Sequence, residues 1–88
     1  MVTELDEPIQ VEVFFADGKT KPLWFLWRGR KIAVKETTFV WKHAEGVSTF
    51  AHFAVTDGLD TYELVLNSKL FSWRLRKVEV AWRGSSST

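Results

Sequence analysis

The stretch that decides the fold is residues 22–34, PLWFLWRGRKIAV. Aromatic and aliphatic residues stand on both sides of a short polar segment, Arg28-Gly29-Arg30-Lys31. Aromatic and aliphatic residues favour strands, and a glycine between two runs of them favours a tight turn. The stretch therefore predicts a β-hairpin with a positively charged tip.

A two-residue loop at Gly29 and Arg30 predicts the pairing within this hairpin. Phe25 then lies opposite Val34, and Trp27 lies opposite Ile32. One face of the hairpin is apolar and is expected in the core; it carries Leu23, Phe25, Trp27, Ile32 and Val34. The other face is aromatic and cationic; it carries Trp24, Leu26, Arg28, Lys31, Ala33 and Lys35.

Length and composition limit the chain to one small domain, since it has 88 residues. Hydrophobic residues make up 45% of it, and five Trp and seven Phe supply enough aromatic area for one core. The absence of cysteine fits a reducing compartment. The first seven residues are acidic, unlike a signal peptide, and no apolar run is long enough to span a membrane. We therefore expect a cytoplasmic protein with no membrane partner.

The net charge of +1 conceals alternating blocks of charge. Residues 1–17 and 44–66 carry acids and no base, whereas residues 18–43 and 67–83 are strongly basic. If the basic blocks are neighbours in the fold, they form a cationic face. If they lie beside the acidic blocks, the charges pair between strands. The sequence leaves both arrangements open.

Alternation of apolar and polar residues predicts strands along residues 8–83. Asp17-Gly18 marks a turn, and a three-residue loop is expected there because it keeps Val11 on the face of Phe25. The alternation changes phase near residues 36–38 and near Lys77, and each change predicts a β-bulge. Residues 42–46 are expected as a loop, residues 57–60 as a four-residue hairpin loop and residues 67–69 as a turn.

These patterns predict an all-β fold, a single small domain of five or six antiparallel strands. The strands are expected to form a curled meander or a small open barrel with two β-bulges. Residues 8–83 make up this β domain. Residues 1–7 are expected as a flexible acidic N-terminus and residues 84–88 as a flexible C-terminal tail.

One set of positions, spread along the β domain, also carries a family resemblance. These positions are Pro22, Phe25, Trp27, Arg28, Gly29 and Arg30, then Trp41, then Phe53, Val55, Thr56, Gly58, Tyr62, Glu63 and Leu64, then Trp73 and Leu75. In them the chain resembles a bacterial family of small domains of unknown function. That family includes stand-alone short proteins and the C-terminal domain of ImuB-like (Y-family polymerase-like) mutasome subunits. The resemblance implies a shared fold and a DNA-repair or polymerase-accessory setting. The chain departs from the family at Ala33 and Ala51, where an aromatic is usual.

No motif in the sequence predicts catalysis. His43 and His52 lack metal-ligand spacing and are expected as a loop residue and a surface residue. Asp57 and Asp60 are typical turn residues rather than paired catalytic carboxylates. The single glycines mark hairpin ends and do not form a phosphate-binding loop. We therefore predict no enzymatic activity, no catalytic residue, no metal site and no cofactor.

Basic and aromatic side chains on outer faces are the one feature that predicts a function. The candidate contact residues are Trp24, Leu26, Arg28, Arg30, Lys31, Lys35, Arg74 and Arg76. An exposed Trp and Leu with charged neighbours is typical of a protein interface. The expected function is a non-catalytic interaction module that docks onto a protein partner. Two alternatives stay open: binding of single-stranded nucleic acid through the same face, and a homodimer formed through a free strand edge.

Overall fold

Seven antiparallel strands form one sheet in a computed structural model that describes residues 1–81. The strands are β1 (Val2–Ala16), β2 (Lys19–Trp27), β3 (Arg30–Ala33), β4 (Glu36–Glu45), β5 (Ser48–Thr56), β6 (Thr61–Asn67) and β7 (Ser72–Glu79). Their order across the sheet is β3-β2-β1-β7-β6-β5-β4. The all-β prediction is confirmed, but the expected five or six strands are seven. The tail expected at residues 84–88 lies outside the described residues.

The N-terminal segment belongs to the sheet. Residues 2–4 and 7–9 pair with β7, so the expectation of a flexible lead-in at residues 1–7 was wrong. The amide of Val80 donates to the Met1 carbonyl at 2.9 Å, and arginines contact the side chains of Asp6 and Glu7. The acidic residues are thus held by cations of the fold, which a composition argument does not reveal. As a result β1 is a central strand, and the sheet is not a simple meander.

The β1–β2 turn is shorter than expected. Ala16 pairs with Lys19, and the loop consists of Asp17 and Gly18 with φ of 54° and 72°. Two successive residues with left-handed backbone conformation form the type of turn that suits a hairpin with a two-residue loop. A bulge at Leu23 then restores Val11 to a position opposite Phe25. The bulge, not a longer loop, keeps the apolar faces aligned.

The β2–β3 turn begins one residue earlier than predicted. Its loop is Arg28-Gly29, with φ of 52° and 77°. Phe25 therefore pairs with Ile32 rather than Val34, and Trp27 pairs with Arg30. Phe25 and Ile32 keep their predicted core face, because both registers place them on the same side of the sheet. Leu23, also expected in the core, is 38% exposed at the bulge, and Pro22 is buried instead.

Both predicted bulge positions are confirmed, but the described strands contain two further register shifts, at Leu23 and between Glu4 and Glu7. The β4–β5 register shifts between Thr37 and Phe39, and the β6–β7 register shifts beside Lys77. The 57–60 loop is also confirmed, since Thr56 pairs with Thr61. Residues 42–45, expected in a loop, instead belong to β4, whose turn to β5 is Gly46-Val47. The last turn spans residues 68–71, beyond the predicted 67–69.

The sheet curls around one apolar face but does not close. The largest fully buried side chains are those of Phe25, Leu64, Leu75, Val55 and Pro22. At one end, Val34 and Lys35 connect the two edge strands, and the Lys35 amide donates to the Thr56 carbonyl at 2.8 Å. We call this the bridged end; it includes the β2–β3 and β5–β6 turns.

The opposite end, which we call the open end, includes the β1–β2 and β4–β5 turns. Pairing between β2 and β3 begins at Trp24, so among the described strands residues 19–22 pair only with β1. Among the same strands, the edge strand β4 pairs only with β5. No strand of the described residues fills the space between these two edges.

Candidate functional site

The predicted contact residues do not form one surface. Trp24, Leu26 and Lys31 lie together on the outer face, because Leu26 pairs with Lys31 beside Trp24. The ammonium group of Lys31 lies 4.5 Å from the centre of the Trp24 ring, in a cation–π contact. Trp24 is half-buried, so part of its ring remains accessible. Arg30 is exposed at the hairpin tip.

Arg28 points away from this group. Its Nη2 donates to Glu7 Oε2 at 2.6 Å, and its guanidinium carbon lies 4.9 Å from the centre of the Trp27 ring. Trp27 Nε1 donates to Glu7 Oε1 at 2.9 Å. The hydrogen bonds from Arg28 and then Trp27 lower the pKa of Glu7, and Glu7 raises the pKa of Arg28. Arg28 therefore stabilises the packing of β1 against β2.

Arg74 and Arg76 likewise serve the fold. Arg74 Nε donates to the Asp6 carboxylate, and its Nη2 donates to the Asp6 carbonyl at 2.8 Å. Arg76 Nε lies 3.9 Å from the same carboxylate. The hydrogen bond from Arg74 is the main cause of the lowered pKa of Asp6. Three of the predicted contact arginines thus have carboxylate partners, which reduces the positive charge of the outer face.

A cleft of about 490 Å³ lies at the open end. Apolar side chains from three strands form its floor, among them Val40, Ala51, Phe53 and Leu66. A second depression of about 540 Å³ shares Lys19, Thr20 and Val40 with the first and extends along the gap between β2 and β4. The incomplete closure of the sheet therefore exposes part of its apolar interior.

Four lysines line the two depressions: Lys19, Lys21, Lys35 and Lys42. Within residues 1–81, no ion pair joins any of them to a carboxylate. Glu36 is the one acid among the described lining residues. Of these lysines only Lys35 was predicted as a contact residue. The basic block at residues 18–43 is the sequence signal for the others, but it does not reveal which strands lack a neighbour.

The other polar residues singled out in the sequence have structural partners. The Asp57 carboxylate accepts hydrogen bonds from the amides of Leu59 and Asp60 and from the Tyr62 hydroxyl, in agreement with its predicted turn role. His52 is 8% exposed and lies against His43 of the next strand, so neither histidine has the position expected for it. The described residues contain no group of three or more His, Cys, Asp or Glu placed to hold a metal ion.

None of the protein-family models, curated proteins or solved structures compared with this chain matches it. Within residues 1–81, no helix has the length and apolar character needed to cross a membrane. The function is therefore inferred from the residues and geometry of the sheet.

Proposed function

We propose that the protein is a cytoplasmic, non-catalytic interaction module whose open end binds an extended, acidic segment of a protein partner. The observation that carries this proposal is the cleft between β2 and β4. Within residues 1–81 it combines two strand edges without a neighbour, an apolar floor and a rim of lysines without an ion pair. Each of these three features matches one feature of an extended peptide.

Backbone pairing supplies the first match. An exposed strand edge presents amide and carbonyl groups that pair readily with an added strand. Both β4 and residues 19–22 of β2 present such groups toward the gap. A segment lying in the gap pairs with one or both edges and continues the sheet toward closure.

Side chains supply the other two matches. Successive residues of a strand point to opposite faces, so one set of partner side chains points to the floor and the other set points outward. Apolar residues of the first set contact Val40 and Phe53. Acidic side chains of the segment approach Lys19, Lys21 and Lys42, which line the two depressions. Because single exposed ion pairs contribute little, we expect specificity from several charges together.

The family resemblance adds a cellular context to this proposal. On that basis the partner belongs to a DNA-repair or polymerase-accessory assembly. The resemblance concerns turn and core positions, such as Gly29 and Leu64, and so it supports the context without identifying the partner.

Single-stranded nucleic acid is the second candidate ligand. Phe14 lines the depression that also contains Lys19, Lys21 and Lys35, and it is 56% exposed. Exposed aromatic rings beside lysines can stack bases and neutralise phosphates. Binding of an oligonucleotide without binding of an acidic peptide distinguishes this mode from peptide binding.

Fluorescence anisotropy with two labelled probes tests the proposal. The first probe is a peptide of nine residues, the length of β5, that alternates glutamate and valine. The second is an oligothymidine. We expect the protein to bind the peptide, and we expect Lys19→Glu with Lys42→Glu to weaken binding by at least about tenfold, as loss of complementary charges at an interface does. A peptide that alternates lysine and valine serves as the negative control.

The matched control carries Arg30→Glu and Lys31→Glu, which change the net charge equally but lie on the β2–β3 hairpin. We expect it to bind the acidic peptide as the wild type does. Equal weakening by both double variants contradicts the cleft assignment, and weakening by the hairpin variant alone favours the Trp24 surface. Binding of oligothymidine without binding of the peptide overturns the protein-partner proposal. Light scattering shows whether a second copy of the chain occupies the β4 edge instead.

A further inference from the structure

Five aromatic rings form a continuous stack across the outer face of β4 and β5. Trp41 and His52 are stacked with centres 4.8 Å apart, and His43 and Phe50 are stacked at 5.2 Å. The His43 and His52 rings lie 4.8 Å apart and join the two pairs. Phe39 extends the stack at 5.4 Å from Trp41. The stack fastens the edge strand β4 to its single neighbour.

Hydrogen bonds connect the two histidines to each other and to a carboxylate. His52 Nδ1 lies 2.9 Å from Glu63 Oε2, and His52 Nε2 lies 2.9 Å from His43 Nδ1. His43 Nε2 lies 3.8 Å from Glu45 Oε1. The side chains of His52 and Glu63 are 11% and 17% exposed, whereas that of His43 is 46% exposed.

This arrangement is complete with no added proton. His52 Nδ1–H donates to Glu63, and His43 Nδ1–H donates to His52 Nε2. One added proton also fits, because His43 Nε2 has a free lone pair that faces Glu45. The cation then lies between the Glu45 carboxylate and the face of the Phe50 ring. No hydrogen bond is lost in this step.

A second added proton does not fit. It must bind His52 Nε2, which already accepts the hydrogen of His43 Nδ1. Two N–H groups then face each other across 2.9 Å, and two cationic rings lie in contact. His43 is the more exposed ring, so it must turn toward solvent while His52 stays with Glu63.

We propose that the His43–His52 pair is a pH-sensitive switch that holds β4 against β5 until a second proton separates the rings. Histidine is the side chain whose ordinary titration falls between pH 5 and 8. The effect of this switch on the cleft at the open end rests on the proposed function above. Loss of this contact loosens the part of β4 that carries Val40 and Lys42, both of which line the cleft.

The surroundings of the pair favour this response. β4 has one neighbouring strand, and Val40 on its inner face is 46% exposed, so packing from the inside is slight. The charged groups near the pair are Glu45 on β4, Glu63 on β6 and Lys77 on β7, whose Nζ lies 3.8 Å from Glu63 Oε1. On the same face, Arg74 of β7 is bound to Asp6.

Two NMR measurements between pH 8 and pH 5 test the switch. Imidazole ¹⁵N shifts report the tautomer and charge of each ring. Amide hydrogen exchange of residues 40–44 reports how stably β4 is paired with β5. These exchange rates are corrected for intrinsic rates and compared with those of residues 63–66. At the acid end, relative protection of residues 40–44 should fall at least about tenfold, as local opening of an edge strand allows.

His43→Phe is the control variant, since it keeps a ring against Phe50 but removes the N–H group that opposes a proton on His52 Nε2. Its relative protection should not depend on pH. An equal loss of protection in this variant, or retention of the contact between His43 and His52 when both rings are charged, overturns the proposal. The acidic peptide, measured at both pH values in wild type and His43→Phe, separates the two proposals. Failure to bind at pH 7.5 refutes the proposed function alone, and pH-independent binding despite loosening of β4 refutes the link to the cleft.

Discussion

Carboxylates at the bridged end are paired within the protein, whereas lysines and strand edges at the open end have no partner in the described chain. At the bridged end, Glu7 accepts from Trp27 and Arg28, and Asp57 accepts from two amides and Tyr62. At the open end, the lining lysines of the described chain have no ion pair, and Val40 is half-exposed above the cleft. The first arrangement stabilises the fold, and the second is available to a ligand. Changes at the two ends should therefore separate stability from binding.

Truncation of apolar side chains should give the largest difference between the ends. Phe25 is fully buried at the bridged end and packs edge-on against Tyr62 at 5.2 Å, so Phe25→Ala should lower the free energy of unfolding by about 3–5 kcal/mol. Leu66 is half-buried and lines the cleft, so Leu66→Ala should cost less than about 2 kcal/mol. Urea denaturation at neutral pH measures both.

Phe25→Leu serves as a milder variant in case Phe25→Ala does not fold. Equal losses for Phe25→Leu and Leu66→Ala, after allowance for the volume removed, would show that the interior at the open end is packed as tightly as at the bridged end. In that event the cleft is not a real gap in the core.

The Tyr62 hydroxyl should give the next largest effect. Burial, followed by the hydrogen bond to Asp57, raises the pKa of Tyr62 to about 12. A tyrosine in the unfolded chain loses its proton near pH 10, so the folded state retains a proton that the unfolded state releases. Wild-type stability should therefore fall as pH rises from 10 to 12.

Tyr62→Phe removes both the hydrogen bond and the titration. At neutral pH we expect it to lower the free energy of unfolding by about 1 kcal/mol, the usual size of one such bond. Between pH 10 and pH 12 its stability should change less than that of the wild type, so the two curves should converge. Parallel alkaline curves in thermal denaturation would contradict the assigned role of Tyr62.

The strands and their faces could largely be predicted from the sequence, because alternation depends on neighbouring residues alone. Phase changes near Thr38 and Lys77 also indicated bulges correctly. Turn lengths could not be predicted, since the bulge at Leu23 and a longer loop align the same faces. The central position of β1 was missed because its first half is acidic and pairs with β7, at the other end of the chain.

The site was less predictable than the fold because it depends on strand order. Whether an arginine is free depends on which carboxylate lies beside it, and Arg74 meets Asp6 only because β1 and β7 are neighbours. The lysine cleft depends on the same order, since it lies where two edges lack a partner. The histidine pair had a sequence signal that was missed: Phe39, Trp41 and His43 alternate as one face of a strand, but residues 42–46 were expected in a loop.

Removal of charged groups should give the smallest effect on stability. The change in melting temperature should nevertheless differ in sign between the two ends. Asp6→Asn with Glu7→Gln removes carboxylates that Arg74 and Arg28 hold at lowered pKa, so this variant should melt at a lower temperature than the wild type at pH 7. Lys19→Gln with Lys42→Gln removes unpaired charges, so its melting temperature should be unchanged or slightly higher.

At acid pH the carboxylate variant should melt at the same temperature as the wild type. The difference in melting temperature between the lysine variant and the wild type should not change. Because the folded pKa values of Asp6 and Glu7 lie below their ordinary values of 3.8 and 4.5, their contribution is present above that range and is lost as pH falls through the folded values. Melting curves recorded from pH 7 to pH 2 should show the carboxylate variant and the wild type converging below about pH 4, where the unfolded carboxylates are already protonated. A lysine variant that loses as much stability at pH 7 as the carboxylate variant would mean that these lysines hold the fold, and the open end would then not be free for a partner.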